Sequence, residues 1–266
     1  MQDQDSTPPL PAEDTISTLW NLQSLQQLAS LPTPACEEVC TSLVTMHLQK
    51  HGVVFEEDKM LFFIEGILFP REIKVDLKFI FPWCRSERIL FTLGWYYLGV
   101  VGDYLAAEVL FSQCISKTQE TASEVTIMAA IANFLATPAA GKLIQFTANA
   151  PEQDLPKAKL SARITASIAP KPLNLPIYGY NYTEFTQWLM HEFTPAATHN
   201  CSTAMKERLT QAMAIKMLER ILAHARQYFI SISFAQLDRL YHVPREAGGQ
   251  LEREVFGSDG EFIVLA

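Results

Sequence analysis

Cys36, Cys40, His47 and His51 are the residues whose types and spacing come nearest to a metal site. Thiolates and imidazoles are the ligands zinc takes, each within about 2.0–2.3 Å of the ion. On one helix all four project to roughly the same side. At about 1.5 Å of rise per residue, however, Cys40 and His47 stand about 10 Å apart along the axis. One ion cannot reach all four on an unbroken helix, so the set reads as core or surface residues. His191, His199 and Cys201 are close in sequence, but no supporting acid or second shell can be named and they read as loop residues after a short helix. The series Met205, Met213, Met217 reads as core packing, and Trp95, Tyr96 and Tyr97 as filling between helices. The chain has no glycine-rich phosphate cradle, no G-x-S-x-G elbow and no H-E-x-x-H pair. The sequence therefore points to no catalytic residue, no metal and no cofactor.

Bulk composition narrows the class further. The 266 residues are 48% hydrophobic and 19% charged, a balance typical of a folded chain and unlike a disordered one. Formal net charge is −8, without the cationic stripe that phosphate contacts need. Five scattered cysteines make no disulfide framework, which suits a reducing cytoplasmic or nuclear compartment. The uncharged apolar stretch Ile89–Gly102 is too short to span a bilayer comfortably and reads as a buried core helix; no membrane segment is expected.

Helices dominate the pattern. Residues 1–14 have no apolar periodicity and read as a disordered tail. A helical hairpin is expected over 15–51, broken by Pro32 and Pro34, and another helix over Phe55–Phe69 with Pro70 as its stop. Residues 70–84 alternate in character, contain Pro82 and read as irregular. Arg88–Val101 and Tyr104–Lys117 form an expected antiparallel pair across Gly102-Asp103, with Asp103 capping the second helix. Trp95-x2-Leu98-Gly99 and Ala107-x3-Phe111 are similar to parts of a tetratricopeptide repeat. Helices are further expected over Glu120–Ala136, Pro138–Asn149, Pro156–Ala169, Tyr182–Phe193 and Ser202–Arg226. The last carries Met205, Leu209, Met213, Leu218, Ile221, Leu222 and Ala225 on one face. The fold class is mainly α: stacked, TPR-like helical hairpins forming an α-solenoid over 15–200, then a different module over 201–266.

In that module Tyr228–Ile232 alternates as a short strand. Ser233 and Gln236 make a capping box, and Phe234, Leu237, Leu240 and Tyr241 give the ensuing helix an apolar face. Pro244 opens another helix, Gly257–Gly260 is a turn, and Glu261–Leu265 returns as a strand. This is the outline of a winged helix. The residues Tyr228, Ile232-Ser233-Phe234, Leu237, Leu240, Pro244 and Asp259-Gly260-Glu261-Phe262 resemble a PCI domain, the module shared by subunits of the proteasome lid, the COP9 signalosome and translation initiation factor three. The sequence departs from that family at Gly248-Gly249, where helix formers are usual, and stops at Ala266, where relatives add a second wing strand and a helix.

The resemblance implies a non-catalytic scaffold subunit in a multisubunit complex, most similar to COP9 signalosome or proteasome-lid subunits. Its implied partners are other PCI-domain subunits, an MPN-type metalloprotease subunit and cullin-RING ligases. The docking residues would be those of the open sheet edges: Tyr228, Ile230, Ile232, Phe262 and Val264. A DNA-binding winged helix is the other reading. Its recognition helix, Pro244–Phe256, would set Arg245 and Arg253 against Glu246, Glu252 and Glu254. Residues 201–266 carry eight basic and eight acidic residues, poor material for phosphate contacts, so nucleic acid is not an expected partner.

Overall fold

Residues 20–49, 56–117, 123–137, 175–194, 201–228, 231–244 and 262–264 are described by a computed structural model. The chain divides into two compact units, Met1–Gln119 and Glu120–Ala266. It is mainly helical, and no helix among the described residues is long and apolar enough to cross a membrane. The expected helices over Pro138–Asn149 and Pro156–Ala169, the disordered tail and the helix opening at Pro244 lie outside the described residues.

In the first unit, α1 (Leu22–Leu28) starts at Asn21, whose side chain accepts from the Ser24 amide at 2.9 Å. Helix α2 (Thr33–Ser42) carries Pro34 in its first turn. The expected breaker is therefore a starter, because the first-turn amides have no partner in the helix and proline there gives up nothing. Helix α2 runs on as a π-helical segment, Leu43–Leu48. Helix α3 (Glu57–Leu61) continues as Phe62–Leu68 in the same way, and α4 (Glu87–Trp95) as Tyr96–Val101. Each closes with an amide reaching five residues back: Phe69 to Ile64 O at 2.8 Å, Gly102 to Tyr97 O at 2.9 Å. Such segments are rare. An apolar run looks the same whether its turns are α or π, so the pattern places the helix but not the wider turn.

The centre of this unit is the hairpin of α4 and α5 (Tyr104–Lys117). Gly102 makes the turn at φ 79°, a left-handed conformation natural to glycine. Asp103 Oδ1 then accepts from the Ala106 amide at 3.1 Å, capping α5 as the sequence predicts. The helices approach closely at Gly94, where a Cβ would meet the Phe111 ring at 2.6 Å. Trp95 and Phe111, the residues that resemble a tetratricopeptide repeat, meet edge to face at 6.3 Å, and Phe91 completes the cluster. Trp95, Tyr96, Tyr97 and Leu98 are consecutive and all buried, so this helix is covered on every side.

Residues 70–84 are more ordered than the sequence suggests. Ile73, Val75 and Leu77 are buried while Lys74 and Asp76 are exposed, the period of an extended strand. No second strand accompanies them among the described residues. Two tyrosine hydroxyls take its place. The Tyr96 hydroxyl accepts from Val75 N–H at 2.8 Å and lies 3.0 and 3.1 Å from the Ile73 and Val75 carbonyls, to which it donates. The Tyr97 hydroxyl accepts from Leu77 N–H at 2.8 Å and donates to Asp76 Oδ1 at 3.1 Å. The chain then makes a 3-10 turn, Lys78–Trp83, containing Pro82. Lys78 pairs with Asp103 at 2.6 Å, tying the segment to the hairpin turn. The hydrogen bond to Asp103 raises the Lys78 pKa, against a smaller effect of burial. Burial pushes the Asp103 carboxyl up, but Lys78 and the capping amides together bring it below its usual value.

In the second unit, α6 (Ser123–Ala136) and α7 (Tyr182–Trp188), which continues as the π-helical Leu189–Phe193, pack on the long α8 (Thr203–Ala225). Ser202 caps α8, its hydroxyl accepting from Met205 N–H at 3.2 Å. Every residue of the predicted apolar face is buried, and Met217 joins it. Residues 231–264 hold the strands β1 (Ser231–Ser233) and β2 (Phe262–Val264) and, between them, α9 (Phe234–Tyr241).

Removing the hydroxyl in Tyr96→Phe strands the Val75 amide and its neighbouring carbonyls, and should cost about 1–3 kcal/mol in denaturant unfolding. Burial, the largest influence on both phenols, pushes Tyr96 and Tyr97 far above the ordinary tyrosine value. A raised folded-state pKa makes their contribution full below the unfolded value of about 10. It is lost as the pH climbs beyond that, so wild-type stability should fall above about pH 10, more steeply than in the Tyr96→Phe, Tyr97→Phe double variant. Gly94→Ala should cost about 1–3 kcal/mol by overpacking against Phe111, read as a lowered thermal midpoint.

Candidate protein-interaction surface

Alternating short residues and a capping box set up the C-terminal module. The Ser233 hydroxyl accepts from Gln236 N–H at 3.2 Å, and Gln236 Oε1 accepts from Ser233 N–H at 2.9 Å. This reciprocal cap ends β1 and begins α9 within one residue. Helix α9 ends at His242, which takes φ 54° and returns its amide to Asp238 O at 2.9 Å. Strand β1 pairs antiparallel with β2 in the register Ser231↔Val264, Ile232↔Ile263, Ser233↔Phe262. Paired strands thus bracket α9 and the chain that follows it. The two strands make a two-stranded sheet, and each keeps one edge with no strand against it among the described residues.

The five predicted docking residues fall in different places. Phe262 and Val264 lie on β2 opposite Ser233 and Ser231. Ile232 is fully buried and anchors the sheet to its own unit. Ile230 lies outside the described residues. Tyr228 is not in the strand expected over Tyr228–Ile232. Its amide goes to Ala225 O at 2.9 Å, following those of Arg226 and Gln227 in the closing turn of α8. The helix end outcompetes the strand there because its last carbonyls need donors. Tyr228 is 67% exposed.

Around Tyr228 the structure assembles a cluster that the sequence alone does not reveal. Arg220, His224 and Tyr228 recur every four residues on the side of α8 beside its buried face. The Arg220 guanidinium donates to the carbonyls of Ile177 and, at 2.8 Å, Tyr178, holding the 3-10 turn Pro176–Tyr178. Its carbon also lies 5.1 Å from the centre of the Tyr180 ring, a cation–π contact. Tyr180 stacks on His224 at 4.0 Å, and Tyr228 tilts against the same imidazole at 5.2 Å. Tyr241, from α9, meets His224 edge-on, its hydroxyl 3.1 Å from Nδ1. Burial, then the neighbouring Tyr228 and Tyr180, raise the Tyr241 phenol and keep it neutral. Thr183 closes the arrangement, donating to His242 O at 2.9 Å. Tyr178 and Leu240 are also exposed, and Arg220 holds the turn that carries Tyr178 and lies over the Tyr180 ring. The only sequence signal was the spacing R-x3-H-x3-Y, and its partners are about forty residues upstream and seventeen downstream.

Among the described residues, His, Cys, Asp and Glu form no group that could hold a metal ion. Cys36 and Cys40 are fully buried, with sulfurs 3.9 Å apart. Burial and the neighbouring Cys36 raise the Cys40 thiol. His51 and His199 lie outside the described residues, as does the side chain of His47; His191 is exposed. Burial pushes the Cys201 thiol up to about 12. Both thiols are protonated near neutrality and therefore weak nucleophiles. A groove of about 630 Å³ between α7 and α8 is lined by Met190, Thr194, Lys206, Glu207 and Thr210 among others.

No family model, curated protein or solved structure matches this chain. The geometry of its own residues is what bears on function.

Ser233→Ala removes one half of the capping box and should cost about 1 kcal/mol. Hydrogen exchange should localise the loss to α9 and β1, leaving the Val75 and Leu77 amides unchanged.

Proposed function

We propose that this chain is a non-catalytic scaffold subunit of a PCI-type multiprotein complex, docking onto other subunits through its C-terminal module. The observation that carries the reading is the antiparallel pairing of Ser231–Ser233 with Phe262–Val264 around a box-capped helix. It sits directly after a long amphipathic helix, the order of elements that the PCI resemblance implies. An open strand edge accepts another chain's strand through main-chain bonds, and Tyr228, Tyr178 and Leu240 of the same unit are exposed. Tyrosine and arginine are the residues most enriched at the energetic centres of protein interfaces.

The assembly we favour is COP9 signalosome-like, with the chain in a place akin to that complex's fourth subunit or its proteasome-lid counterpart. A separate MPN-type metalloprotease subunit would remove the ubiquitin-like modifier from cullins, and this chain would position cullin-RING ligases. The compartments are the cytoplasm and nucleus. Affinity purification from the chain's own cells with mass spectrometry tests this. PCI-domain subunits and the metalloprotease subunit should be recovered, and the purified chain alone should cleave no isopeptide bond. Tyr228→Ala should weaken recovery, with a binding loss of about 2 kcal/mol and an unchanged thermal midpoint. Recovery of no PCI-domain subunit would refute the assignment.

A further inference from the structure

We propose that the outer edge of the extended segment Ile73–Leu77 pairs with the same segment of a second copy of this chain, antiparallel and centred on Val75. Along a strand, backbone groups point alternately to its two edges. The inner edge is satisfied by the Tyr96 and Tyr97 hydroxyls, which take the Ile73 carbonyl, both groups of Val75 and the Leu77 amide. The outer edge belongs to Lys74 and Asp76. Both residues are exposed, and their main-chain N–H and C=O have no partner among the described residues.

The occupant follows from charge and register. Centred on Val75, antiparallel self-pairing sets Ile73 against Leu77 and Lys74 against Asp76, in both directions. Every cross-strand charge then meets its opposite. Shifting the centre to Asp76 sets Asp76 against itself, and shifting it to Lys74 sets Lys74 against itself. Both alternatives oppose like charges. The backbone permits this register. Val75 points both of its groups inward at Tyr96, so it must face its copy across a non-bonded position. Lys74 and Asp76 then fall on bonded positions and exchange N–H and C=O in pairs. Lysine on an exposed edge ordinarily discourages another chain; here the copy supplies Asp76 opposite it. Self-pairing about a two-fold axis closes on itself and gives a dimer, not a fibre. This surface lies in the first unit, and the pairing does not depend on the role assigned to the C-terminal module.

Sedimentation velocity on the full chain over a concentration series is the test. The wild type should pass from monomer to dimer as concentration rises. Lys74→Asp puts a carboxylate opposite Asp76 in both halves and should weaken the dimer about tenfold, whereas Lys74→Arg should leave it intact. Lys74→Pro removes both the outward amide and the charge opposite Asp76, and should abolish pairing. Circular dichroism and the thermal midpoint should stay at wild-type values for the lysine-to-aspartate and lysine-to-arginine changes, since Lys74 is exposed and bonds to nothing among the described residues. A wild type that is monomeric throughout its soluble range, or a dimer indifferent to Lys74→Asp and Lys74→Pro, would overturn the proposal.

Discussion

A backbone amide or carbonyl taken from water must find a partner, and leaving one unsatisfied costs on the order of 1–3 kcal/mol. Helices meet that demand internally, so in a mainly helical chain it falls on the few extended segments. Two of them organise this protein. At Ile73–Leu77 the demand is met on one side by tyrosine hydroxyls from α4. At Ser231–Ser233 it is met by β2, whose strand lies about thirty residues further on. Both arrangements satisfy one edge, and the other has no strand against it among the described residues.

The burial of Tyr96 and Tyr97 follows from this use. A phenol is costly to bury unless its hydroxyl is bonded, and each hydroxyl here both accepts and donates. The π-helical turn that begins at Tyr96 places two successive tyrosines against the same extended segment. Gly102 and Asp103 close the hairpin immediately afterwards, and the Lys78–Asp103 pair fastens the far end of the segment. In the second unit, Arg220 serves in a comparable way, with its guanidinium donating to carbonyls of a turn that lies more than forty residues earlier.

Much of this was legible from residue pattern. Asp103 as a cap, the Ser233–Gln236 box, the apolar face of α8 and the return strand near Phe262 all rest on local chemistry between residues a few positions apart, which a single sequence displays. What escaped was long-range or degenerate. Pro34 could stop one helix or start the next, and only the position of the first turn decides. The π-helical turns share the apolar pattern of α turns. The alternation of Ile73, Val75 and Leu77 was visible, but with no second strand it read as irregular, because nothing in the sequence says that a side-chain hydroxyl will stand in for a strand. Tyr228 looked like the start of a strand and instead completes the turn after α8. The cluster of Tyr180, His224, Tyr228 and Tyr241 joins three separate segments, so the exposed surface that the proposed docking uses could be located only once they were folded together.

Hydrogen-exchange mass spectrometry of the chain alone and within the assembly isolated from its cells bears most directly on the proposed docking role. The account predicts added protection in the assembly at Ser231–Ser233 and Phe262–Val264 and around Tyr228. The Val75 and Leu77 amides, already held by Tyr96 and Tyr97, should be slow in both samples. Unchanged exchange across the C-terminal strands on assembly would contradict it.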